Sequence, residues 1–188
     1  MPRPEGYDKT QGYGGSRQLP AGGYVCVIKN AKMDKNAGGA DYIKVQIDIA
    51  EGEFKGYYNE RYLSDKRRQQ NPKWKGILPV WIYAQDGTSA ARSLNAFANA
   101  LDDIGVDLWP DGRDLPDLDA VKNKRVGIVF RRDEFKYSDG SGKTGWFTRP
   151  LYTMPVSDIV AGSFQVPDDK PLDKVEKAFA ATDDDIPF

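Results

Sequence analysis

Residues 42–49 alternate Tyr42, Lys44, Gln46 and Asp48 with Ile43, Val45, Ile47 and Ile49, and a period of two has one physical reading: a strand with one buried and one exposed face. Around it the chain reads as mainly β. Gly23–Ile28 forms a first strand with apolar residues on both faces, and Asp34–Gly39 carries Asn and two Gly of a turn. A third strand is expected at Tyr57–Leu63 after the breaks at Gly52 and Gly56. Leu78–Ala84 is apolar and aromatic. Ala91, Leu94, Ala98 and Leu101, with Phe97 and Ile104 beside them, form one helical stripe, opened by Asp86 or Thr88 and closed by Gly105. Asp107–Asp119 is a loop. Two further strands, Arg125–Arg132 and Gly145–Met154, are joined by a hairpin whose Ser138–Gly142 is turn chemistry.

Length and composition bound the class. With 188 residues, 39% of them hydrophobic, there is chain for one ordinary core, expected over 19–166. Residues 1–18 are rich in Gly, Pro, Gln and charge and are expected to be a disordered arm, and 167–188 a flexible acidic tail. The chain has no histidine and one cysteine, Cys26. That removes an internal disulfide, the usual zinc ligand sets and the Ser-His or Cys-His nucleophiles. No metal, cofactor or catalytic residue is expected, and the protein reads as a non-enzyme. Gly142-Lys143-Thr144 lacks the earlier glycine of a phosphate-binding loop, since Tyr137 stands there. The aspartate pairs at 102–103 and 168–169 and the triplet at 183–185 lie at a helix end or in the tail, without the rigidity a two-metal site needs. No apolar stretch reaches the roughly 20 residues of a membrane span and no signal-peptide core opens the chain, so a cytoplasmic protein is expected.

Charge is unevenly placed. From Asp168 onward seven acidic and three basic residues give −4, which leaves the preceding 167 residues at +3 within a total of −1. At the tip, Asp183-Asp184-Asp185 runs into Ile186-Pro187-Phe188, a ring and an apolar clamp behind three carboxylates, suited to capture by a basic-rimmed pocket on another protein.

This string resembles the terminal peptide by which bacterial single-stranded DNA-binding proteins recruit replication and repair enzymes. Gly22–Cys26, Ile49–Tyr58, Arg125–Phe130 and Gly162–Pro167 are likewise similar to segments of phage-encoded single-stranded DNA-binding proteins. The resemblance implies a five-stranded OB-fold barrel with one helix between its third and fourth strands. It also implies a role in phage DNA replication, recombination and repair in the host cytoplasm. The basic loop is longer and the tail linker shorter than the common bacterial pattern, which leaves the oligomeric state, a homo-oligomer included, open.

Single-stranded DNA as partner calls for cations and flat rings. The candidates are Tyr42 and Lys44 on the second strand, Arg61 and Tyr62 on the third, and Lys66, Arg67, Arg68, Lys73, Trp74 and Lys75 in an exposed loop behind it. Arg131, Arg132, Phe135, Lys136, Tyr137, Lys143 and Trp146 follow in the last hairpin. Tyr62, Phe135 and Trp146 suit packing equally well; Trp81 and Phe130 read as core. The partner-binding set is Asp183, Asp184, Asp185, Ile186, Pro187 and Phe188. A competing reading is an OB-like adaptor that fills host tail-docking pockets with little DNA affinity of its own, and a third, weaker one is a metal-dependent DNA-processing enzyme.

Overall fold

The computed structural model describes residues 17–84, 87–112, 114–138 and 142–172. Five strands, β1 (Gly22–Lys35), β2 (Asp41–Ile49), β3 (Ile77–Trp81), β4 (Arg125–Lys136) and β5 (Thr144–Met154), form one antiparallel sheet in the order β3-β2-β1-β4-β5. Helix α1 (Tyr57–Arg68) lies between β2 and β3, α2 (Arg92–Asp102) between β3 and β4, and α3 (Val156–Ala161) follows β5.

The apolar half of the β2 alternation holds: Ile43, Val45, Ile47 and Ile49 are buried, and they meet Cys26 and Ile28 of β1, Leu78 and Val80 of β3, and Val126, Ile128 and Phe130 of β4 in one core, while the face expected to be exposed is half-buried at Tyr42, Lys44 and Gln46 and buried at Asp48. The β1–β2 turn is built on Asn36, whose side-chain carbonyl accepts the Ala40 N–H at 2.8 Å. Over this core lies α2, burying Leu94, Phe97, Ala100 and Leu101. Gly105, at φ 70°, ends that helix as expected, although its first turn begins at Arg92 rather than at Asp86 or Thr88.

Two expectations fail. Tyr57–Leu63 is helix, not strand. Its aromatic content imitates a strand, but burial falls on Tyr57, Tyr58, Arg61, Tyr62 and Asp65, a helical stripe, while Asn59, Glu60 and Leu63 face water. The same helix runs on through Lys66, Arg67 and Arg68, the first part of the expected exposed loop, and these cations sit in its last turn, where they complement the helix dipole.

The second failure is the barrel. β3 and β5 come near each other, yet among the described residues no ladder joins them, and they are the two edges of an open sheet. The sequence of β3 explains this. It has five residues with Pro79 at its centre, and a proline cannot donate to a second ladder; the facing edge, β5, carries Pro150 beside a register shift. The OB-fold barrel is therefore not formed, and the single-stranded DNA-binding role in replication, recombination and repair inferred from it loses its structural basis, as does the adaptor alternative phrased on the same barrel.

The start of α1 is held from a distance. The Asp48 carboxylate, on a residue only 3% exposed, accepts the N–H of Tyr58 and of Ile49, each at 2.9 Å, so a β2 side chain caps the helix. Asp48→Ala strands two buried donors and should cost about 1 to 3 kcal/mol in urea unfolding. Asp48→Asn keeps an acceptor and should cost less. Burial pushes the Asp48 carboxyl above its ordinary 3.8, against the pull of its backbone donors. The cost of holding it ionised is thus absent below the ordinary value and full above the raised one. Stability measured across the acid range should lose that component in the Asn variant.

Among the described residues no helix is long and apolar enough to cross a membrane.

Candidate binding surface

The residues singled out for charge and flat rings fall on three separate patches. On the outer face of β2 and β3, Tyr42 stands opposite Trp81, their rings 5.2 Å apart and tilted by 43°, with Lys44 opposite Pro79 and Lys32 opposite Lys44. Trp81 is half-buried beside Tyr42 rather than in the core. Because Leu78 and Val80 point inward, alternation sends Ile77, Pro79 and Trp81 outward, and that period was the signal to follow. Ser93 of α2 fixes the Trp81 backbone, its hydroxyl accepting the Trp81 N–H at 3.0 Å. Lys44 pairs with Asp34 at 3.4 Å.

The second patch is α1 and the segment after it. Arg61 donates to the Tyr57 hydroxyl at 3.0 Å and lies over that ring, and Tyr62 packs on Trp74 with centroids 5.7 Å apart. Trp74, expected as an exposed platform, is half-buried against the core and donates its indole N–H to the Ile47 carbonyl at 3.1 Å. Lys75 pairs with Asp65 at 3.2 Å. Lys66, Arg67, Arg68 and Lys73 are exposed.

The third patch is the β4–β5 hairpin, whose two faces differ. On one, Arg131 chelates Asp133 at 2.7 and 3.3 Å, Arg149 approaches the same carboxylate at 3.4 Å, and Phe135 packs between Phe147 and Tyr137. On the other, the Arg132 guanidinium lies 5.2 Å from the Trp146 ring centroid and also binds the Asp169 carboxylate, its Nε at 3.1 Å. Lys136, the last residue of β4, and Lys143, just before β5, are exposed, and residues 139–141 between them lie outside the described residues. Gln18, from the expected disordered arm, donates to the Trp146 carbonyl of β5, and Arg17 pairs at 2.7 Å with Glu53 in the loop before α1, so the described end of that arm is engaged with the folded body. The rest of the arm and the string 183–188 lie outside the described residues.

Sequence reasoning located the cations but not their partners. Asp34, Asp65 and Asp169 each pair with one of them from another strand or from ten or more residues away, and Asp133 pairs with Arg131 two positions before it on the same face of β4 as well as with Arg149 of β5. Only the Arg131–Asp133 pair follows a local pattern, the period of two of a strand.

Burial first, and Asp48 second, hold the Cys26 thiol well above its usual range, which is the opposite of an activated nucleophile. Burial likewise raises Tyr58, and it pushes Tyr24, with Glu53 adding to it, up to about 12. Among the described residues no cluster of three or more His, Cys, Asp or Glu side chains is placed to hold a metal.

No protein-family model matches this chain, and no curated protein sequence matches it.

Proposed function

We propose that this chain is a non-catalytic binding protein that captures proteins of replication and repair through the string Asp183–Phe188. The observation that carries the reading is the string itself: three carboxylates provide attraction toward a basic rim, Pro187 restricts the approach, and Ile186 and Phe188 supply apolar area for a pocket. The architecture behind it is consistent with a tether. Asp169, Lys170 and Leu172 are bound to β4, so the connecting segment runs from residue 173 to 182, ten residues, and spans at most about 35 Å when extended. The chain has no histidine, its cysteine is buried, and its buried Asp48 carboxylate serves as a helix cap.

The test uses a fluorescent Asp-Asp-Asp-Ile-Pro-Phe peptide titrated with purified bacterial exonucleases, helicases and primases. At least one enzyme should raise its anisotropy, and the full chain should displace the peptide with an affinity within about tenfold of the peptide's own. An enzyme set that leaves the peptide free, or a full chain that fails to compete, overturns the reading.

A further inference from the structure

The segment strapped to β4 repeats the pattern of the docking string. Asp168-Asp169-Lys170-Pro171-Leu172 and Asp184-Asp185-Ile186-Pro187-Phe188 share two aspartates, one variable residue, a proline and a large apolar residue, sixteen positions apart. The structure shows how the first copy is held. Lys170 forms a parallel bridge with Asp133, donating its N–H to the Arg132 carbonyl and accepting from the Glu134 N–H, both at 2.9 Å. Asp169 binds the Arg132 guanidinium, and the Leu172 N–H donates to the Glu134 carboxylate at 3.2 Å.

Resting on the docking reading above, we infer that Asp168–Leu172 is a second, latent docking string, masked in cis by the edge of β4. The Asp169 carboxylate is occupied by Arg132 and the backbone by the strand edge, so the segment is not free to enter a pocket. The hold is of a kind that yields: Arg132 and Asp169 are both well exposed, and exposed ion pairs contribute little. Release has a natural stopping point upstream. Phe164 lies so close over Gly23 that a Cβ there would sit 2.5 Å from its ring, and it shares that contact with Ile159 of α3, so the chain up to Phe164 stays packed when the strap leaves.

The experiment takes the full chain and an enzyme selected by the peptide titration. Three proteins are compared: the intact chain, Phe188→Ala, and Phe188→Ala combined with Arg132→Ala and Glu134→Ala, which remove the donor to Asp169 and the acceptor for the Leu172 N–H. Faster hydrogen exchange at the Lys170 amide in the third reports that the strap has left, independently of binding. The intact chain should bind, Phe188→Ala should lose at least about thirtyfold, and the triple variant should regain about fivefold or more, short of the intact value because Lys170 stands where the tip has Ile186. Binding by the intact chain with no recovery in an exchange-competent triple variant overturns the latent string alone. If Lys170 exchange is unchanged, adding Lys170→Pro removes its N–H donor, and the same comparison decides. No binding by the intact chain overturns the docking reading and the latent string with it.

Discussion

Phe97→Ala should lower the free energy of unfolding by about 3 to 5 kcal/mol, the range for removing a fully buried aromatic ring. Phe97 is 0% exposed at the centre of the α2 stripe, among Leu94, Ala100 and Leu101, and this helix covers the inner face of the sheet. The loss has two parts, the transfer of apolar area and the cavity left behind. The core side chains with which Phe97 clusters are themselves buried, so collapse into the gap is restricted. Urea unfolding followed by tryptophan fluorescence measures it, and Trp81 gives a local reporter because Ser93 ties its backbone to α2. Phe97→Leu should cost markedly less, since most of the volume is kept. A loss below about 1 kcal/mol for the alanine variant would contradict the packing of α2 on the sheet.

How far the fold could be read from sequence depended on whether a pattern had only one solution. The alternation in β2 did, and so did the α2 stripe with Gly105 behind it and the two strands around the Ser138–Gly142 turn. The segment 57–68 did not. Tyr57, Tyr58 and Tyr62 favour a strand by residue type, and the helix follows only from a tertiary fact, the capping carboxylate of Asp48 ten positions away from Tyr58. Closure of the sheet was equally beyond local pattern. Five strands with an intervening helix accommodate an open sheet as readily as a barrel, and the outcome turns on whether two edges pair, a matter decided here by a short β3 with Pro79 in it. The candidate surface divides in the same way. The interleaving of charge and rings marked Arg132 and Trp146 without pairing them; the β4–β5 register, in which Glu134 stands opposite Trp146, is what sets the guanidinium over that ring. That Arg132 would be shared with Asp169, thirty-seven residues on, has no sequence signal.

Loss of the ring at position 188 tests the account most directly. An aromatic anchor in a desolvated pocket commonly carries 2 kcal/mol or more of a binding energy, about thirtyfold in affinity, while the carboxylates around it act mainly on encounter. Phe188→Ala leaves Asp183–Asp185 and the whole folded body unchanged in sequence, so its effect separates ring capture from charge attraction. Calorimetric titration of an enzyme that binds the Asp183–Phe188 peptide, against the intact chain and against Phe188→Ala at equal ionic strength, is the measurement. The account predicts a weakening of at least about thirtyfold with unchanged thermal unfolding of the chain. Equal affinity of the two proteins would contradict it and reduce the string to an acidic screen.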